Sequence, residues 1–409
     1  MFNTIAILIT VAALFSYLNQ RFIHLPTTIG LMVIALALSI GLVLLGALGW
    51  PTLRLNAEAF LRGIDFHETF MQGMLSFLLF AGALHVNLSD LREQKWIIAL
   101  LATLSVVIST FLIGGFTYWL SGLLSLQLPF IYCLVFGALI SPTDPIAVLS
   151  ILKTARVPKT LKTKITGESL FNDGVGVVMF LVLAGIAADG QPITADSVAW
   201  VFLTEAVGGI GFGLIIGGIT YYLLRSINNY SVEVLITLAL VTGGYALAST
   251  LHLSGPIAMV VAGLLIGNHG RRSAMSETSR LHLDTFWELV DEMLNAILFV
   301  LIGLEVLILS FKISYFQAAL ALAPAVLLAR LISVSVPVLL LRSVRQFSSG
   351  IIPIMTWGGL RGGISVALAL SLPLGPERET ILAVTYLIVV FSITVQGLTI
   401  GHVIRHWFR

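Results

Sequence analysis

Charge is scarce in this chain: 22 Lys and Arg with 20 Asp and Glu make up only 10% of 409 residues, against 58% hydrophobic and a mean hydropathy of +1.02. Water-soluble globules carry about a quarter charged residues, so that class is excluded and a polytopic membrane protein is expected. Cysteine is almost absent; the single Cys133 lies in an apolar run, which excludes an internal disulfide. Low-complexity segments and long linkers are missing. So are a phosphate-binding glycine loop, a zinc spacing and a Ser/His/Asp pattern. ATP drive and hydrolysis therefore have no residues to carry them. The chain is expected to be no enzyme, to need no cofactor and to bind no nucleic acid.

What is there is hydrophobic length. Apolar runs of about 20 residues, enough to cross a bilayer, predict thirteen spans: near 2–20, 27–49, 69–88, 96–121, 129–151, 164–188, 197–224, 231–252, 255–268, 285–308, 314–341, 350–372 and 379–404. The first lacks a basic leader and a small-residue cleavage site and reads as a retained span. Connections after odd-numbered spans hold Arg21; Arg92 and Lys95; Lys153, Arg156, Lys159, Lys162 and Lys164; Arg225; Arg271, Arg272 and Arg280; Arg342 and Arg345; and Arg405 and Arg409. Those after even-numbered spans hold only Arg54, Arg62, Lys312 and Arg378. The positive-inside rule then predicts a multi-pass protein of the cell inner (plasma) membrane, N-terminus outside and C-terminus cytoplasmic. Residues 1–409 read as a single membrane domain, with short interfacial helices in the connections 50–68 and 269–284.

Two spans carry helix breakers and charge at mid-length. In the fifth, Pro142 and Pro145 flank Thr143 and Asp144; in the twelfth, Gly358-Gly359-Leu360-Arg361-Gly362-Gly363 interrupts the run. Proline removes a backbone donor and glycine weakens a helix, so both predict unwound backbone whose freed groups can serve an ion. The two spans are seven apart, an offset that reverses direction across the membrane. Spans one to six (2–188) and eight to thirteen (231–404) therefore read as inverted six-helix repeats, with 197–224 as connector. Paired broken helices in two halves point to a midplane site in secondary transporters.

The sixth span supplies the chemistry, in Glu168-Ser169-Leu170-Phe171-Asn172-Asp173. At about 100° per residue its four polar side chains fall within a sector of roughly 140°, Glu168 stacked on Asn172 and Ser169 on Asp173. Asp173 and Ser169 offer hard oxygens, and unwound Thr143 adds another, a set that suits a small alkali cation. The same carboxylate can take a proton instead. A charge at bilayer depth costs about 3 kcal/mol on insertion scales, so such groups serve an ion or proton path. The midplane set is Asp144, Glu168 and Asp173 against Arg330 and Arg361. If each arginine satisfies one carboxylate, one negative charge is left, for one proton or one monovalent cation. One-for-one exchange follows.

These residues resemble a family. Thr143-Asp144-Pro145, the Glu168 to Asp173 string, Leu298-Phe299-Val300-Leu301-Ile302-Gly303-Leu304 and Gly359-Leu360-Arg361-Gly362-Gly363-Ile364-Ser365 look like the NhaP and sodium/proton exchanger branch of the monovalent cation:proton antiporters, along almost the whole chain. The resemblance implies an all-α homodimer of thirteen-helix protomers with two crossed broken helices, the NhaA/NhaP-like fold. It implies that Asp173 is the shared cation and proton carboxylate and that Ser169 and Thr143 complete the metal shell. It further implies that Asn172 stands where electrogenic relatives have a second aspartate, that Glu168 pairs with Arg330, and that Asp144 and Arg361 compensate half-helix dipoles. There is one departure: many relatives carry an acidic residue in the third span, where this chain has Ala81 in Phe80-Ala81-Gly82-Ala83.

The expected activity is antiport of Na⁺ or Li⁺ for H⁺, for pH homeostasis and sodium transport. K⁺/H⁺ exchange on the same fold and a cation channel are the alternatives, and a non-transporting scaffold is the bland one. Glu288, Asp291 and Glu292 open the tenth span as a wet mouth. Glu205, Glu233 and Glu305 read as residues near interfaces.

Overall fold

The computed structural model describes residues 2–145, 148, 149, 152, 157–189, 203–309, 312–343, 347, 348 and 350–407. The predicted Lys153, Arg156, Arg345 and Arg409, the start of the connector at 197–202, and most of the second half of the fifth span lie outside them. Among the described residues the chain is helical throughout, and the single β-bridge joins Asp144 to Leu360.

In their described residues all the predicted apolar runs contain helix. Among the described residues eight helices are individually long and apolar enough to cross a membrane: the first, second, fourth, sixth, seventh, eighth, eleventh and thirteenth spans. The others depart for local reasons. The third is divided into Thr69–Met74 and Leu75–Leu84, and the ninth is short, Gly255–Leu265 with Ile266–Gly270. The fifth stops at Ile140 in Phe130–Ile140, and the twelfth is split into Ile351–Trp357 and Gly363–Leu370.

The tenth runs Glu277–Glu305, eight residues earlier than its apolar core predicts. Ser276 caps it by accepting from Ser279 N at 3.2 Å, so the polar turns that were expected to form a separate interfacial helix continue the span instead. The sixth likewise begins at Lys159, in Lys159–Asp189. Pro51–Arg62 is the expected surface helix, started by Pro51 at its first position, with Leu53 and Leu55 exposed. Glu233 and Glu305 lie at span ends, in the first turn of Tyr230–Thr250 and at the last residue of Glu277–Glu305, and both are buried in protein; Glu233 accepts from Ser279 Oγ at 3.0 Å.

Packing sorts the spans into two bundles. The second packs on the tenth, the third on the ninth and tenth, the first on the second and tenth, and the eighth on the third, ninth and tenth. The seventh lies outside them, against the eighth and ninth. In the other bundle the fourth packs on the fifth and eleventh, the fifth on the sixth, the eleventh on Ile351–Trp357 and on the thirteenth, and the twelfth on the thirteenth. Ser109 Oγ donates to Ser333 Oγ at 2.9 Å where fourth and eleventh spans meet. Between apolar helices in lipid, close van der Waals approach replaces the hydrophobic drive. Gly213 is one such approach: a methyl there would sit 2.6 Å from Ala258 O on the ninth span.

Candidate functional site

The two breaks meet. Past Ile140 the chain cannot continue as helix through Pro142 and Pro145, and it extends so that Asp144 N donates to Leu360 O at 2.8 Å in the break of the twelfth span. Gly362 lets this crossing form, since a methyl on it would lie 2.5 Å from Asp144 Oδ2. Its backbone is extended, so space rather than a special φ requires glycine. Asp144 thereby faces the N-terminus of Gly363–Leu370, where helix amides are unpaired and negative charge is favoured.

Both half-helix C-termini that point into the crossing end on an arginine. Arg361 Nη1 donates to Ser141 O at 2.5 Å and Pro142 O at 3.0 Å, just past Phe130–Ile140. Arg330 Nε donates to Met355 O at 3.3 Å in the last turn of Ile351–Trp357. A guanidinium there offsets the negative end of the dipole and satisfies carbonyls that no amide can reach. Arg330 also holds Glu168 bidentately, Nη1 to Oε1 at 2.5 Å and Nη2 to Oε2 at 2.9 Å, with both residues buried.

The polar wall of the sixth span grips the unwound strand. Ser169 Oγ donates to Thr143 O at 2.8 Å, and Asn172 Nδ2 donates to Thr143 Oγ1 at 2.9 Å. Asp173, one residue further, is half-buried and has no hydrogen-bond or ion-pair partner among the described residues. It faces a cavity of about 770 Å³ lined also by Thr143, Asp144, Ser169 and Gly362, which reaches the surface at Asp90, Lys159 and Lys162. Glu288, Asp291 and Glu292 of the tenth span line the same cavity. At its mouth Lys159 pairs with Asp90 at 2.7 Å.

The structure thus brings together all eight residues singled out in the sequence: Thr143, Asp144, Glu168, Ser169, Asn172, Asp173, Arg330 and Arg361. It adds some that sequence reasoning missed. The thirteenth span contains a π-type turn, Ser392–Gln396, where Ser392 Oγ accepts from Arg361 N at 3.0 Å and Gln396 Nε2 donates to Trp357 O at 3.0 Å. Such turns rotate side chains out of α-helical register and recur at functional sites. Tyr386 and Asn295 were also missed.

A pair of interrupted helices crossing beside a solitary carboxylate, at the bottom of a cavity between two helical bundles, defines a secondary transporter. The chain belongs to the sodium/hydrogen exchanger family, whose transmembrane region it matches over residues 8–406. It is 54% identical over 409 residues to the Na⁺/H⁺ antiporter NhaP of Pseudomonas aeruginosa, covering 99% of this chain and 96% of that protein. It is 36% identical to the Na⁺/H⁺ antiporter NhaH of Halobacillus aidingensis over 98% and 95% of the two. In fold it resembles the sodium proton antiporter MjNhaP1 of Methanocaldococcus jannaschii, with a TM-score of 0.78 at 20% identity, covering 100% of this chain and 98% of that one.

Proposed function

We propose that this protein is a secondary antiporter exchanging one Na⁺ or Li⁺ for one H⁺, with Asp173 as the carboxylate both ions share. The observation that carries this reading is that Asp173 is, among the described residues, the charged group of the crossing left over when the opposite charges are paired off. Glu168 and Arg330 neutralise each other at 2.5 Å. Asp144 bridges to Leu360, the residue before Arg361, so these two opposite charges belong to the same crossing and sum to zero. One negative charge remains at the cavity floor, for either a proton or an alkali cation.

The ion shell comprises Asp173, Ser169 Oγ and Thr143 O, hard oxygens that replace part of a hydration shell. The Ser169–Thr143 hydrogen bond supports this set, because it holds two of the three ligands in register and leaves lone pairs on both. Asn172 positions Thr143 and adds no charge, which supports electroneutral exchange. With the basic connections placed inside, the cavity mouth at Asp90 and Lys159 faces the cytoplasm of a cell whose inner membrane holds the protein.

Inverted repeats, 2–188 and 231–404, are supported by packing that repeats at an offset of seven spans. The second meets the tenth as the ninth meets the third, and the first meets the tenth as the eighth meets the third. The half that moves is the bundle containing the crossing; the other, with the seventh span, provides the face on which a second copy sits in a homodimer.

The test is ΔpH dissipation in proteoliposomes. Na⁺ or Li⁺ should collapse a preset gradient with saturation and without dependence on membrane potential. Silence towards every alkali cation rejects antiport, response to K⁺ alone replaces the substrate, and unsaturable potential-driven flux indicates a channel.

A further inference from the structure

The cavity has two walls, and the ion shell described so far uses only one of them. The moving bundle contributes Asp173, Ser169 and Thr143; across the cavity stand the third span, with Ala81, and the tenth span. Ala81 offers no ligand atom. The tenth span does, because the residues it turns to the cavity form a polar stripe of Glu288, Asp291, Glu292 and finally Asn295, at the i, i+3, i+4, i+7 spacing of one helix face.

Asn295 lies about 10 Å deeper than Glu288 at 1.5 Å of rise per residue, and it is the last polar residue before the apolar run Leu298 to Leu304. Its depth relative to the crossing is fixed by its neighbour one turn on. Leu298 packs against Gly363, where a methyl would meet Leu298 Cδ1 at 2.7 Å, and the preceding Gly362 packs against Asp144. Asn295 therefore enters the cavity one turn on the open side of that contact, at the level of the unwound strand.

The side chain is only 3% exposed, yet its Oδ1 has no hydrogen-bond partner among the described residues. Among the described residues lining this cavity it is the one with such an orphaned polar atom. A buried carbonyl oxygen left unpaired costs about 1–3 kcal/mol, so a persistent one calls for a ligand. Rotation about the last side-chain bond exchanges the amide's two ends, so oxygen can face whatever enters.

We infer that Asn295 is a specificity-determining residue of the stationary wall: its carboxamide oxygen reaches the cation on Asp173, directly or through one water, in the open-cavity state. The inference rests on the exchange reading above. A neutral oxygen gains more from a metal cation than from the single neutral hydrogen bond it could accept from the protonated carboxyl, so Asn295 biases the contest at Asp173 towards the cation without altering the charge count. Because it belongs to the other bundle, the contact breaks when the crossing moves, which lets a tightly loaded ion leave the stationary wall.

Two assays on the full-length protein test this: Na⁺- and Li⁺-dependent thermal stabilisation in detergent, and ΔpH dissipation in proteoliposomes. Asn295→Leu keeps the volume and deletes the oxygen; Asn295→Asp keeps an oxygen. The leucine variant should raise half-saturating Na⁺ about tenfold in both assays, the factor one polar contact to a charge is worth, with a smaller change in maximal rate. The aspartate variant should saturate at or below the wild-type concentration. Wild-type saturation in Asn295→Leu overturns the inference, as does an equal loss in both variants. A melting temperature lowered without cation, with half-saturation unmoved, would make Asn295 a packing residue and also overturn it. Wild-type protein that binds Na⁺ but exchanges none rejects the antiport reading alone, and the binding assay still decides Asn295.

Discussion

A carboxylate that loads ions from water must keep one face wet, whereas a carboxylate that only holds the fold together is better dry and paired. Asp173 and Glu168 lie five residues apart on one helix and divide along this line: Asp173 is half-buried on the cavity, Glu168 is 2% exposed and bidentate to Arg330. Asp173→Asn keeps the shape and removes the exchangeable charge, so ΔpH dissipation should fall to the protein-free background while melting stays near wild type. Residual saturable exchange in that variant would move the site elsewhere. Glu168→Ala and Arg330→Ala act differently, since each strands a buried charge at a cost of about 3–5 kcal/mol. Both should show poor yield and a clearly lowered melting temperature. Reversing the pair as Glu168→Arg with Arg330→Glu should recover less than half of that loss, because Arg330 Nε also serves Met355 O.

At the scale of elements, glycine and proline decide where helices may touch and where they must stop. Gly213→Ala should destabilise the protein by about 1–3 kcal/mol, the range for overpacking, because the added methyl meets backbone at Ala258 O rather than a side chain that could turn away. Gly211, with nothing within 4 Å of the same methyl, is the matched control and should melt as wild type. The same physics made the breaks legible in the sequence: Pro142, Pro145 and the glycines from 358 to 363 stand out in apolar runs, and charge beside them marks function. Helix ends were less legible. An apolar window overlooks the polar first turns of the sixth and tenth spans, although Ser276 is a capping residue visible in the sequence.

Least legible were lone polar residues inside helices. Thr117 and Thr380 satisfy themselves on their own helix, at Ile113 O and Pro376 O, whereas Ser392 and Tyr386 reach other spans at Arg361 N and Ile302 O. In sequence the two kinds look alike, because a hydroxyl's partner depends on which helix the fold brings alongside. Asn295 was hidden in the same way. Its spacing from Glu288 and Glu292 was readable, but not that this face lines the same cavity as Asp173.

At the scale of the whole molecule, the cavity at Asp90 and Lys159 has a closed counterpart at the opposite end of the bundles. There the two bundles are joined by hydrogen bonds that transport must break: Tyr386 Oη donates to Ile302 O at 2.7 Å, and His67 Nδ1 lies 3.0 Å from Ala367 O. Phe66 and Phe70 stack beside them with centroids 6.2 Å apart, and Leu298 covers Gly363. One hydrogen bond is worth about 1 kcal/mol net, which corresponds to a roughly fivefold change in a two-state population. Tyr386→Phe removes the bond and keeps the ring, so it should shift the protein towards the state open on the other side. With Cys133→Ala and a reporter Ala296→Cys on the cavity wall, a membrane-impermeant maleimide should label wild type chiefly from the side of Asp90 and Lys159. In the Tyr386→Phe background, labelling from the opposite side should rise about fivefold, the factor set by that bond. Unchanged labelling from both sides would mean that the seal is apolar packing alone, and the alternating-access role of Tyr386 would fall with it.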